Sequence, residues 1–204
     1  MNFIEHFSCL REYTSVYSTG DFIELVEQEC KQDWGYLSWY QTPIGGNKNN
    51  LTNVVDIHRT SLGCEMSPIS MPVENISQER LIPLAKKWMH IRERIDKCIW
   101  HYRNTYSLHL SADEGFRLLK YGRGAEYKGH VDHAPTNARV LSLVSFVNDG
   151  FTGGELVFPL LDVKVTPSAG SVLLFPSNFP YYHYAAPVGK NDESIKYSLV
   201  TWLQ

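Results

Sequence analysis

Residues 116–133 read FRLLKYGRGAEYKGHVDH and residues 139–158 read RVLSLVSFVNDGFTGGELVF. Short apolar blocks alternate with turn-forming residues, first GRGA and then NDGFTGG. The series runs on through VKV, the turn TPSAG, then SVLLFP, YYHYAA and IKYSLVTWL, almost to residue 204. Short strands at such regular spacing predict an antiparallel sandwich or barrel.

The chain upstream has a different character. Leu81, Leu84, Trp88, Ile91, Ile95 and Ile99 recur at helical spacing, predicting a helix over 77–103 that Ser77 caps, with Arg80 and Pro83 in its first turns. A shorter helix is expected over Asp21–Cys30, with Phe22, Ile23, Leu25 and Val26 on one face and Thr19 as its cap. Trp34–Tyr40 is aromatic and expected to be extended. Residues 41–75, which hold TPIGGNKNNLTN and SPISMP, read as a long loop system of the kind that covers a site. Helices first and strands later make an α+β arrangement. The expected unit is one domain over residues 1–204, with 1–110 as helical support and loops and 111–204 as the core barrel.

Composition narrows the function classes. Apolar residues make up 43% and charged residues 20%, ordinary for a globular protein. A net charge of −3 argues against a nucleic-acid partner, which calls for a basic face. No stretch reaches the ~18 apolar residues of a membrane span, and the N-terminus lacks a secretory pattern, so a cytoplasmic protein is expected. The four cysteines stand singly, with no Cys-x-x-Cys pair, which speaks against a structural zinc site or a disulfide framework.

The chemistry begins with His130-Val131-Asp132. In a strand, residues i and i+2 project from the same face, so both side chains can reach one metal. A chain with eight histidines can hold such a pair by chance, so a third ligand is required. His183, just beyond SVLLFP, supplies it. Two imidazoles and one carboxylate form the facial triad of non-haem iron(II) oxygenases, although zinc also accepts such donors. Lys196 opens the last strand and would point inward on alternate positions with Ser198, Val200 and Trp202. A lysine in an apolar barrel demands a partner. Read on its position alone, it could equally be a solvent-facing edge residue. Lys190, in VGKNDES, reads as plain surface.

Together FRLLKYGRGAEYKGHVDH, RVLSLVSFVN, GGELVFP, VKVTPSAGSVLLFPS and the final KYSLVTW resemble the prolyl 4-hydroxylases of the iron(II)/2-oxoglutarate superfamily. The resemblance implies a double-stranded β-helix, a jelly-roll or cupin-like barrel buttressed by the N-terminal helices. It implies His130, Asp132 and His183 as iron ligands and Lys196 as the anchor for 2-oxoglutarate. Tyr121 becomes a hydroxyl donor to the co-substrate, Arg139 a substrate contact, and Trp202 part of the pocket wall. Arg59-Thr60-Ser61-Leu62-Gly63 resembles a segment that these enzymes lay over the peptide groove, which makes Arg59 and Ser61 substrate contacts. Fe(II) with 2-oxoglutarate and O2 as co-substrates, and ascorbate as an accessory reductant, come with the family, as does a proline-containing peptide or protein as substrate. Three features depart from it: Lys128-Gly129 before the first ligand, Phe146 where relatives carry a tyrosine, and a longer segment between His183 and Lys196. The rival readings keep the chemistry on a free amino acid, small metabolite or other protein side chain, or make the chain a non-catalytic jelly-roll binding module.

Overall fold

The computed structural model describes residues 2–42, 58–135, 138–189 and 194–204. Twelve strands among them form two sheets. β1 (Phe3–Phe7), β2 (Leu10–Tyr13), β3 (Tyr40–Gln41), β4 (Leu62–Glu65), β5 (Arg117–Tyr121), β7 (Leu141–Phe146), β10 (Ser171–Pro176) and β12 (Lys196–Leu203) make the large sheet. Its order is β1-β2-β10-β7-β12-β5-β4-β3. β6 (Tyr127–His130), β8 (Leu156–Phe158), β9 (Val163–Val165) and β11 (His183–Ala185) make the small one, in the order β6-β11-β8-β9. The strand pairs are antiparallel. The result is the jelly-roll expected from the turn-punctuated C-terminal half.

The large sheet is covered on both faces, which is why its strands read as continuous apolar runs rather than alternating ones. In β12, Tyr197, Leu199 and Leu203 join a cluster with Trp88, Ile91 and Ile95. Val200 and Trp202, on the other face, join Phe146, Phe158 and Phe175 between the sheets. β10 splits in the same way, Val172 and Leu174 to one side and Leu173 and Phe175 to the other. The helical cover comes from α1 (Phe22–Cys30) and α2 (Ile82–Thr105). Trp88 anchors it: the indole is fully buried, stacks with Phe22, meets Phe116 edge-on, and donates its N–H to Ser70 Oγ at 2.8 Å.

Several expectations are corrected. The N-terminal third is not helical support alone, because the β1–β2 hairpin extends the large sheet through β2 and β10. Trp34–Tyr40 is not a strand: only Tyr40–Gln41 pairs, and Trp34 is 91% exposed. Within 41–75, residues 43–57 lie outside the described residues, but Leu62–Glu65 is a full sheet strand between β3 and β5, not loop. Ser67–Ile69 and Val73–Asn75 are short 3-10 turns. The long helix starts at Ile82, behind a 3-10 turn at Glu79–Leu81, so Ser77 does not cap it; Pro83 does stand in its first turn. α1 is preceded by Asp21, with no side-chain cap, and Thr19 contributes only its backbone carbonyl, which accepts from Phe22 N–H.

Candidate active site

β6 and β11 are neighbours in the small sheet, and His130 stands directly opposite His183 in their register. Facing positions of an antiparallel pair share a face, so both imidazoles enter the same space, their ring centres 4.4 Å apart. β6 ends at His130, so Asp132 lies in the bend that follows and not in the strand as the His-x-Asp reading assumed. The bend still returns its carboxylate to the pair, with Oδ1 3.4 Å from His130 Nε2 and Oδ2 3.7 Å from His183 Nε2. The three donor atoms lie within 4.8 Å of one another.

Protonation suits a metal. Nδ1 of His130 lies 2.8 Å from the Lys128 carbonyl, and Nδ1 of His183 lies 2.9 Å from the Tyr181 carbonyl. A carbonyl oxygen only accepts, so each Nδ1 carries the proton and each Nε2 offers its lone pair inward. Burial pushes the His183 imidazole down to about 4, with His130 adding to the shift and Asp132 opposing it, so the ring is neutral at physiological pH. Burial on its own would raise the Asp132 carboxyl, but His183, His130 and the Ser142 hydroxyl outweigh it and hold it well below the usual range. A carboxylate and two imidazole Nε2 atoms converging from one side match the iron(II) facial triad.

The carboxylate is itself held. Ser142 Oγ donates to Asp132 Oδ2 at 2.7 Å and lies 2.8 Å from Ser177 Oγ, all three residues buried. With Oδ2 held by this hydroxyl chain, the carboxylate keeps Oδ1 toward His130 and Oδ2 toward His183. Ser142→Ala is therefore expected to lower Co(II) or Mn(II) affinity by about ten- to a hundredfold, and Ser142→Thr to retain most of it. Metal titration of the two variants by absorption or calorimetry reads this. Equal affinity in Ser142→Ala and the parent would make the serine mere packing.

The triad opens into a cavity whose wall includes Arg59, Tyr121, Tyr127, Lys196, Ser198 and Trp202. Lys196 is 2% exposed and faces Tyr121 across the β12–β5 pair. Its Nζ donates to the Gly154 carbonyl at 2.6 Å and lies over the Tyr121 and Phe146 rings. No carboxylate among the described residues pairs with it, and burial pushes its ammonium down to about 7, with Glu155 opposing. A buried cation short of an anion fits one carboxylate of a dicarboxylic acid. Gly154, at φ +70, makes the contact possible, since a Cβ there would stand 3.0 Å from Lys196 Cδ. Lys190 lies outside the described residues.

The other sequence-derived residues separate. Trp202 lines the cavity, but Arg139 does not: its guanidinium is bound by Glu114 through two hydrogen bonds of 2.7 and 2.6 Å and lies 3.8 Å from the Trp202 ring centre. Arg59 lines the cavity, while Ser61 is fully buried behind it, its Oγ accepting from Arg59 Nε at 3.3 Å. Burial raises the Tyr121 hydroxyl, with Arg59 and Ser61 opposing through charge and hydrogen bonds. Sequence reading missed Ser142, Ser177, Glu114 and Tyr127. Tyr127 stacks on the His130 ring at 3.8 Å between centres. Gly129, one of the departures, also has a reason: a Cβ there would run into the Tyr182 hydroxyl.

Two imidazoles and a carboxylate share one cavity of the jelly-roll with a buried lysine, the donor types that a non-haem iron site with a dicarboxylate co-substrate calls for. Residues 116–204 match the model of the 2OG-Fe(II) oxygenase superfamily, and the barrel has the jelly-roll fold of solved prolyl hydroxylases. No curated protein matches the sequence. Among solved structures, a prolyl hydroxylase from Trichoplax adhaerens, in complex with a hypoxia-inducible factor peptide fragment, superposes with a TM-score of 0.66 at 15% identity, covering 99% of this chain and 82% of that one. A Pseudomonas putida prolyl-4-hydroxylase gives 0.61 at 18% identity over 96% and 92%. The viral collagen prolyl hydroxylase of Paramecium Bursaria Chlorella virus-1, in its 2-oxoglutarate complex, gives 0.59 at 16% identity over 96% and 95%. None of the described helices is long and apolar enough to cross a membrane.

Proposed function

We propose that this protein hydroxylates a prolyl residue of a peptide or protein, with His130, Asp132 and His183 holding iron(II) and Lys196 holding the remote carboxylate of 2-oxoglutarate. The observation that carries the reading is the placement of the triad and an unpaired buried lysine in one cavity. Iron(II), when bound, supplies dioxygen activation driven by oxidative decarboxylation of 2-oxoglutarate to succinate and carbon dioxide. The chain's own residues orient and shield. The Lys128 and Tyr181 carbonyls fix the imidazole tautomers, and Ser142 fixes the carboxylate. Tyr121 stands opposite Lys196 at the co-substrate end. Leu119, Leu156 and Val200 keep the wall apolar, so that water is excluded around the reacting carbon.

The proline assignment draws on the three neighbours, each named as a prolyl hydroxylase and one carrying a peptide. Arg59 and Trp202 are the wall residues that would meet substrate; Arg139 would act through the Trp202 ring it covers, and Ser61 through Arg59. Residues 1–204 are taken as one catalytic unit, since strands from both halves share the large sheet. Ascorbate as accessory reductant and a cytoplasmic location belong to the same reading, and four free cysteines suit a reducing compartment. With iron(II), 2-oxoglutarate and a panel of proline-containing peptides, succinate should form and one peptide class should gain one oxygen by mass spectrometry. Oxidation of free proline with every peptide untouched would move the function to small molecules. One observation favours that second reading, the buried Arg59 guanidinium that no carboxylate among the described residues meets.

A further inference from the structure

Two cations are buried in the cavity wall, and 2-oxoglutarate accounts for one of them. Arg59 is 4% exposed. Among the described residues its guanidinium has no carboxylate partner, whereas Arg11, Arg92, Arg117 and Arg139 each have one. Its contacts are Ser61 Oγ, the Tyr121 hydroxyl, and the face of Tyr127, whose ring centre lies 4.5 Å from the guanidinium carbon. A guanidinium offers five N–H donors in a planar fork that matches a carboxylate, and a buried cation with no anion is costly. The placement is rigid. Arg59 bridges to Tyr127, Thr60 N–H donates to the Glu126 carbonyl, and the Gln41 side chain donates to the Arg59 carbonyl.

The column Arg59–Tyr127–His130 sets the guanidinium two stacked layers from a metal ligand. Lys196 lies on the large sheet over the Tyr121 and Phe146 rings, so the two cations share Tyr121, Lys196 at its ring and Arg59 at its hydroxyl. We propose that Arg59 binds a carboxylate of the substrate, so that the enzyme selects an anionic prolyl compound. The carboxylate is either the α-carboxylate of a free or C-terminal proline or an acidic side chain beside an internal one. This rests on the reading of the chain as a 2-oxoglutarate-dependent hydroxylase of proline.

The test compares matched acid and neutral compounds: free L-proline against L-prolinamide, a C-terminal prolyl peptide against its amide, and an internal Asp-Pro peptide against Asn-Pro. Oxygen gain is measured with iron(II) and 2-oxoglutarate. Binding is measured by calorimetry under argon with Mn(II) and 2-oxoglutarate, for the parent, Arg59→Gln and Arg59→Lys. At least one acid should exceed its neutral partner by ~30-fold or more, as expected for losing one member of a desolvated charge pair. Arg59→Gln should erase that ratio, Arg59→Lys restore part of it, and the KM for 2-oxoglutarate should move by less than about threefold. The arm that shows the Arg59-dependent ratio names the source of the carboxylate. Equal binding of acid and neutral partners in every arm overturns the proposal. So does an Arg59→Gln variant whose only change is a large rise in the 2-oxoglutarate KM. Arg59-dependent binding of the acids without oxygen gain in any of them would uphold the anion site and remove the prolyl hydroxylase reading instead.

Discussion

Lys196→Met is expected to weaken 2-oxoglutarate binding by roughly thirty-fold to a few thousand-fold, the range for removing one partner of a buried charge pair. The apo protein should at the same time become more stable, with a higher melting temperature. Methionine fills the same space and leaves no poorly solvated ammonium over the Tyr121 and Phe146 rings. Lower affinity with higher stability separates a binding lysine from a structural one, whose loss would lower both. Lys196→Arg should retain part of the affinity, since charge survives although the fork differs. The parent enzyme should show a matching pH dependence. Burial holds the ammonium at about 7 in the free protein, and a bound carboxylate would raise it. Affinity is then full below pH 7 and falls about tenfold per unit above it, until the value in the complex is reached. Stability of the apo protein runs the other way. Between about 7 and the ~10.4 of a free lysine the unfolded chain binds the extra proton, so stability rises with pH. Calorimetric titrations from pH 6 to 9 and parallel melts read both. A flat affinity profile with near-parental binding in Lys196→Met would remove the anchor role.

Alanine at any of His130, Asp132 or His183 is expected to abolish turnover and lower metal affinity by at least ~100-fold, in line with about 3–5 kcal/mol for breaking a buried charged cluster. Each residue supplies one of three converging donors, and loss of Asp132 also strips the acceptor from Ser142. His133→Ala is the control. That side chain is exposed and its Nδ1 is engaged with the Arg139 carbonyl, so metal uptake should be unchanged. Metal loss in His133→Ala with uptake intact in His130→Ala would reverse the ligand assignment.

The strands of the C-terminal half were legible because apolar blocks separated by glycine and proline turns leave few alternatives. The N-terminal hairpin was not. All four residues of β2 are buried, yet two of them are Arg11 and Glu12, met by the side chains of Glu5 and His6 from the neighbouring strand. Such pairing is invisible along one dimension, and a charged tetrapeptide does not read as an interior strand. Trp34 misled in the opposite sense, an aromatic residue left in solvent. At the site, the triad and Lys196 could be found because their residue types are costly to bury without purpose. Ser142 and Ser177 could not, since serine in an apolar strand carries no signal until its partner is located in space. The ion pair of Arg139 was equally hidden, since Glu114, 25 positions away, gives no hint of it in the sequence.

The seam between β2 and β10 has a consequence for what counts as the heritable unit of this enzyme. The stretch that matches the superfamily begins at residue 116, yet within the large sheet β10 leans on β2 and β5 leans on β4, both from before that point. A chain cut down to its matching segment would keep every metal ligand and lose both flanking strands. It would expose two rows of unpaired amides and carbonyls, and also the apolar face that α2 covers. Such a fragment should clump with its own kind through those edges. Chemistry and foldability thus have different borders in this molecule, and a gene fusion, splice variant or expression clone that respects only the first would deliver the ligands without the protein.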